Sequence, residues 1–216
     1  MPVRKIPKNY RNVTGVNFSS KSKGSPEFES TLERDFITIL DFDPLVKSFE
    51  VQPFKIEYKN LDDKTRTYTP DVLVHYYPSL SFPKPRTILY EVKYRKDLKK
   101  DWPILKRKFQ AAVRFTRELG WIFTIITELE IRRPYLDNIK FLKRYRQGIN
   151  DERLSIAIKI MEDLRETDPQ TLVAAIASDF SNRAEVTYLV WQMIALGYLQ
   201  TDLTKPLSMH TRIWLK

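Results

Sequence analysis

The chain has 216 residues, 42% of them hydrophobic, with 37 Lys and Arg against 27 Asp and Glu for a net charge of +10. That apolar content excludes a disordered chain, and the absence of cysteine excludes disulfides and thiolate metal sites. No run of eighteen apolar residues occurs and the N-terminus has no apolar signal core, so a cytoplasmic protein without a membrane partner is expected, and the basic surplus points to nucleic acid.

Residues 1–26 carry Arg4, Lys5, Lys8, Arg11, Lys21 and Lys23 and no acid, which reads as a flexible basic arm lying along phosphates. After Gly24-Ser25-Pro26, the spacing of Phe28, Leu32, Phe36, Ile39 and Leu40 predicts a helix ending at Asp43-Pro44. Strands are expected within Phe49–Tyr58, over Tyr68–Tyr76, and over Ile88–Tyr94. The last of these would turn Ile88, Tyr90 and Val92 to one face and Leu89, Glu91 and Lys93 to the other. A proline-rich loop containing Pro78, Pro83 and Pro85 would join the last two.

A helix over Pro103–Leu119 follows, with Leu105, Phe109, Val113, Thr116 and Leu119 as its inner stripe and Gly120 as its cap. The apolar run Trp121–Thr127 reads as a buried strand beside the others. Residues 27–145 thus form a mixed sheet flanked by helices. Beyond the basic stretch Lys140–Arg146 a second unit, 146–216, is expected. Its helices open at Asp151, at Asp168-Pro169 and at Asn182, the last stopping at Gly197, and two short strands close the chain. Three helices and a terminal hairpin suggest a winged-helix-like domain, although a helical bundle with a hairpin fits the same pattern.

The chemistry lies in Pro70-Asp71 followed, after nineteen residues, by Glu91-Val92-Lys93. Glu91 and Lys93 share a strand face, and pairing with the Asp71 strand would bring three charges together. Two carboxylates suit Mg²⁺, for which Mn²⁺ commonly substitutes, and the Val92 carbonyl offers a further ligand. Such a metal activates water for phosphodiester hydrolysis, while Lys93 would orient that water and offset transition-state charge. Glu33 would complete the metal shell or hold a water, with Glu29, one helical turn earlier, as its competitor. The alternative is a solvated strand face with a weak charge pair. Arg95, Lys96, Lys99, Lys100, Lys106, Arg107 and Lys108 would grip DNA phosphates. Tyr94 and Trp102 are expected in core packing, with packing on a sugar or base as the alternative, and Trp191, Met193 and Ile194 in the core of the second unit. His75, sharing a strand face with Asp71 and Leu73, is expected as a polar strand residue, with a place near the metal as the alternative. Glu128 fits a helix cap or a loop salt link.

The ordered set SPEFESTLERDFITILDFDPLV, FEVQPFKIEY, YTPDVLV, YEVKY and FTIITE, with the ending GYLQTDLTKPLSMHTRIWL, resembles the TnsA endonuclease subunit of heteromeric cut-and-paste transposases. The resemblance spans residue 25 to the end. It implies an α/β restriction-endonuclease-like nuclease domain followed by a winged-helix-like domain. It also implies Mg²⁺-dependent cutting of double-stranded DNA at transposon ends, at the 5′ strand opposite the one cut by a partner transposase. By position it places the catalytic residues on Glu33, Asp71, Glu91 and Lys93; some relatives carry Gln at the position of Glu91. Its further implied partner is an ATP-dependent regulator, expected on the second domain because the helix Asn182–Gly197 carries Arg183 as its one cation. Two rivals stand beside this reading: a stand-alone restriction-like, junction-resolving or mismatch-nicking nuclease, and a non-catalytic DNA-binding adaptor.

Overall fold

The computed structural model describes residues 15–16, 19–24, 27–149, 151–177 and 182–216. The chain divides into two compact units, Met1–Arg132 and Arg133–Lys216. Among the described residues no helix is long and apolar enough to cross a membrane.

In the first unit, β1 (Gly15–Val16) pairs antiparallel with β2 (Glu27–Phe28). A Cβ on Gly15 would lie 2.8 Å from the Phe28 ring, so this pairing needs the glycine. Phe28 therefore belongs to a strand and not to the helix expected there. That helix, α1 (Thr31–Phe42), starts at the cap Ser30, whose Oγ accepts from the Glu33 N–H at 3.1 Å. Leu32, Phe36, Ile37 and Leu40 are buried along it.

β3 (Val46–Val51) follows and ends where Gln52 turns left-handed, at φ 49°, before Pro53. The described part of the expected flexible arm lies against this strand: the Lys23 N–H donates to the Phe49 carbonyl, and the Phe49 N–H to the Lys21 carbonyl. Lys21 Nζ also donates to the Asp43 carbonyl at 2.6 Å. Lys21 and Lys23 thus satisfy the outer edge of β3 at Phe49, while Arg4, Lys5, Lys8 and Arg11 fall outside the described residues.

A hairpin of β4 (Ile56–Lys59) and β5 (Thr65–Tyr68) comes next, then β6 (Val72–Tyr76), β7 (Arg86–Val92), α2 (Arg95–Glu118), β8 (Ile122–Ile126) and the short α3 (Glu128–Ile131). The main sheet has the order β3-β6-β7-β8, antiparallel except for the parallel pair β7-β8. On one face Phe36 of α1 meets Tyr90 edge-to-face at 5.0 Å. On the other, Ala111 and Ala112 of α2 pack with Ile56 and Tyr68 of the hairpin over Leu73 and Leu89. The mixed sheet flanked by helices expected from the sequence is present.

Further expectations for this unit change. Val113 and Leu119, expected on the inner stripe of the helix before Gly120, are 40% and 47% exposed. Helix α2 begins at Arg95, so Pro103 lies inside it and not at its start. β8 is the terminal strand of the sheet and is only half-buried, with Ile122 46% exposed, because nothing among the described residues pairs its outer edge.

The second unit begins with α4 (Pro134–Leu142), a single turn at Lys143–Tyr145, and α5 (Asp151–Leu164). It continues through β9 (Glu166–Thr167), α6 (Pro169–Ala177), α7 (Arg183–Leu196), β10 (Leu199–Thr201) and β11 (Ile213–Leu215). The structural division lies ahead of the 145/146 boundary expected from charge. The physical reason is that α4 buries Leu136, Ile139 and Leu142, while Asn138 holds the backbone of Leu203, Lys205 and Leu207. The three expected helix starts are all realised, with Asn182 capping α7 and Gly197, at φ 83°, closing it. Trp191, Met193 and Ile194 are buried, as expected. β9, too short to register in the sequence, joins the terminal hairpin to give the antiparallel order β10-β11-β9.

Candidate active site

The end of β7 and the entry to β6 meet in the interior of the main sheet. Asp71 stands one residue before β6, and its Oδ2 accepts from the Val92 N–H at 2.7 Å. Glu91, buried on β7, accepts from the Tyr68 hydroxyl at 2.9 Å. Lys93 Nζ lies 3.0 Å from Glu91 Oε1 and 3.7 Å from Asp71 Oδ2. The three expected charges therefore do converge. Each carboxylate is held by a donor from a different element, which fixes its rotamer. Val92 enters the site through its N–H.

Glu33 closes the first turn of α1. Its carboxylate accepts from Ser30 Oγ and from the Glu29 N–H, both at 2.9 Å, which ties it back over the helix start. Glu29 precedes the helix and does not lie one turn earlier on it, since the cap is Ser30. It is held instead by Gln52, whose Nε2 donates to Glu29 Oε1 at 3.1 Å, while the Gln52 N–H donates to the Asp71 carbonyl at 2.8 Å. Gln52 thus links Glu29 to the Asp71 strand entry. It is 93% buried and its Oε1 has no partner.

Burial is the largest influence on each acid. It raises Glu91 to about 7, with the Asp71 charge adding to the effect. Burial and Asp71 likewise raise Glu33 to about 7. Asp71 is also pushed up by burial, against the pull of Lys93 and the Val92 N–H. Burial pulls Lys93 down, but Asp71 and Glu91 more than compensate and hold it charged. Burial and the neighbouring acids push the Tyr68 phenol up, so it remains a donor.

Among the described residues, no three of His, Asp and Glu stand close enough to cage a metal ion. The site fits a hard divalent cation in a more open way. Glu91 is buried and Asp71 half-buried, the two carboxylates share one ammonium, and Gln52, whose N–H holds the Asp71 carbonyl, carries a buried Oε1 acceptor without a partner. Mg²⁺ characteristically takes one or two carboxylates and keeps its remaining waters.

Residues 43–128 match the family described as TnsA-like endonuclease N terminal. The first unit carries a TnsA-like endonuclease domain. No curated protein matches the chain. The matched segment holds Gln52, Asp71, Glu91, Val92 and Lys93, whereas Glu29 and Glu33 precede it.

Other expected residues of the TnsA-like unit scatter. Arg95, Lys96, Lys99, Lys100, Lys106, Arg107 and Lys108 all lie on α2, spread broadly over the side away from the buried Leu105, Phe109, Ala112 and Thr116 instead of forming one narrow stripe. Lys108 stands over the Tyr68 ring at 6.0 Å and so approaches the acids most directly. Lys96 stands over Tyr94 at 5.7 Å. Glu128 caps α2, accepting from the Arg95 N–H at 2.9 Å. Tyr94 is tied to Thr31 and Arg132 through its hydroxyl. Trp102, expected in the core, is 45% exposed. His75 pairs with Thr87, and its field comes from Lys23, Lys47 and Glu50, away from the acids.

The sequence reasoning missed Tyr68 and Gln52. Tyr68 had a usable signal, because it shares the YTPD segment with Asp71.

Proposed function

We propose that this chain is the Mg²⁺-dependent endonuclease subunit of a heteromeric transposase. It hydrolyses a phosphodiester at transposon ends, on the 5′ strand opposite the one cut by its partner transposase. The observation that carries this reading is the convergence of Asp71, Glu91 and Lys93 on the inner strands of a TnsA-like endonuclease domain.

Asp71 and Glu91 would hold the metal, with the Val92 carbonyl and Glu33 as further candidate ligands. When bound, the metal polarises the scissile phosphate and acidifies its water. Lys93, held charged between the two carboxylates, positions the attacking water and offsets charge on the phosphorane. Glu33, with its pKa near neutrality, is suited to accept or return a proton. Lys96, Lys100, Arg107 and Lys108 on α2 contact backbone phosphates, which holds the duplex without reading its sequence.

The order α5-β9-α6-α7-β10-β11 supports a winged-helix reading of the second unit. Helix α7 has one cation, Arg183, and so suits protein docking better than groove reading. Its partners would be the transposase and an ATP-dependent regulator. The protein would act in the cytoplasm, at the nucleoid.

The test is strand-specific mapping of cuts at transposon ends, with the chain reconstituted beside its transposase in Mg²⁺ or Mn²⁺. Asp71→Ala and Lys93→Ala should each abolish the 5′-strand cut and leave DNA affinity nearly unchanged. Cutting by the chain alone would favour a stand-alone nuclease. Equal loss of cutting and DNA affinity would favour an adaptor.

A further inference from the structure

The open edge of β8 offers both backbone groups and a groove. The Ile126 carbonyl accepts from the Lys93 N–H at 3.1 Å, so Ile126 turns its backbone groups toward β7. Backbone direction alternates along a strand, so Phe123 and Ile125 turn both N–H and C=O outward. The next outward N–H, that of Thr127, is already taken by Glu130 at 2.9 Å. The Phe123 and Ile125 side chains stand on the α2 side of the sheet and floor a hollow of about 610 Å³ with Trp102, Phe109 and Val113. A second hollow of about 570 Å³ continues from it, sharing Trp102 and Ile125.

Cations rim this apolar floor: Lys106, Arg114 and Arg117 at one hollow, Arg95 and Lys99 at the other. None of the five makes an ion pair among the described residues. The one carboxylate in either lining, Glu130, is engaged by Thr127. From Arg95 to Arg117 the helix rises roughly 33 Å, and that length accommodates about ten extended residues.

We propose that this edge and groove bind an extended segment of a partner protein. The segment adds to β8 as a fifth strand and carries apolar side chains alternating with carboxylates. Its backbone pairs with Phe123 and Ile125, its apolar side chains cover Trp102, Phe109 and Val113, and its carboxylates meet the cationic rim. A DNA backbone fits less well, because phosphate oxygens accept hydrogen bonds and cannot satisfy the outward carbonyls of Phe123 and Ile125. Phosphate also gains nothing from an apolar floor.

The experiment selects from a displayed library of random peptides, about ten residues long, on the full chain. The enriched peptides are then measured by fluorescence anisotropy. Selection should enrich sequences alternating acidic and apolar residues. Their affinity should fall at least about tenfold in the double variant Arg114→Glu, Arg117→Glu and in Ile125→Pro. Proline at 125 removes an outward N–H without touching the β7 ladder, and the charge reversal, on exposed positions, keeps the test independent of that strand's tolerance. Absence of enrichment, or peptides that bind both variants as they bind the wild type, would overturn the proposal. So would mixed-sequence duplex DNA that displaces the peptides and is weakened equally by the charge reversal, since that marks a phosphate-binding face.

Discussion

Replacing Glu91 by Gln should make the first unit more stable at mildly alkaline pH, although it removes a buried ion pair. The Glu91 pKa rises from 4.5 to about 7 on folding, chiefly through burial and secondarily through Asp71. Between those limits the folded chain binds more protons than the unfolded chain, so stability falls as pH rises from about 4.5 to about 7. At about 1.4 kcal/mol for each pH unit, Glu91 alone accounts for a loss of up to about 3 kcal/mol across that window. Gln stands in for the protonated acid, because its amide oxygen still accepts from Lys93 or Tyr68. Glu91→Gln should therefore match the wild type near pH 4.5 and exceed its stability by up to about 3 kcal/mol at pH 8.

Hydrogen exchange of the Val74 and Leu89 amides, corrected for intrinsic rates and run with a chelator, reads this unit separately from the second. A wild-type profile flat across the window would refute the reasoning. So would an unchanged slope in Glu91→Gln, because the titrating group would then be another acid. Residual slope in the variant is expected from Glu33, which burial also raises to about 7.

Lys93→Met leaves the Asp71 and Glu91 carboxylates facing each other without their counter-ion; it should cost about 3 kcal/mol at pH 8 and less near pH 5, below the Glu91 pKa of about 7, as urea melts at the two pH values would show. Ser30→Ala removes the cap of α1 and a partner of the Glu33 carboxylate. It should cost about 1 kcal/mol in the same melts and reduce divalent-ion affinity measured by calorimetry. Gln52→Gly relieves a left-handed backbone that costs a side-chain-bearing residue about 1 kcal/mol, so the melt should move little. Calorimetry should nonetheless show weaker Mg²⁺ binding, because Glu29 loses its anchor and the site loses a buried acceptor. Unchanged Mg²⁺ affinity would limit Gln52 to a turn residue.

The acidic pair was legible because a strand sets side-chain direction by counting: Glu91 and Lys93, two apart, must share a face, and the apolar residues flanking Asp71 mark an inner strand. Gln52 was not legible. Alternation breaks at Gln52-Pro53, which signals a strand end, but its role depends on a left-handed backbone and on contacts 19 and 23 residues away in sequence. The helix start illustrates two competing signals. Phe28 extends the apolar spacing of α1 backward, while Ser30-Thr31-Leu32-Glu33 is a capping-box pattern that starts the helix after it. The local hydrogen bonds prevailed, since a helix running through Phe28 would forgo the cap. For β8, the apolar run Trp121–Thr127 fixed the strand, but whether an apolar strand is covered on both sides is decided by elements distant in sequence. The exposure of Trp102 has the same origin, because it faces the side of α2 that looks onto this open edge.

The electrostatics and the supporting hydrogen bonds argue in one direction. A site meant only to stabilise the fold would gain from neutral residues here, because a buried ion pair rarely repays its desolvation. This site pairs Asp71 and Glu91 with a single ammonium and sets Glu33 within their field, at a cost visible in three acids raised by burial. Ser30, Tyr68 and the Val92 N–H then hold those same acids in fixed orientation, by donors drawn from the α1 cap, the hairpin and the sheet. Fixing unfavourable charges from three directions contributes little to folding. It makes sense where a cation or a developing transition-state charge must find its partners already in place.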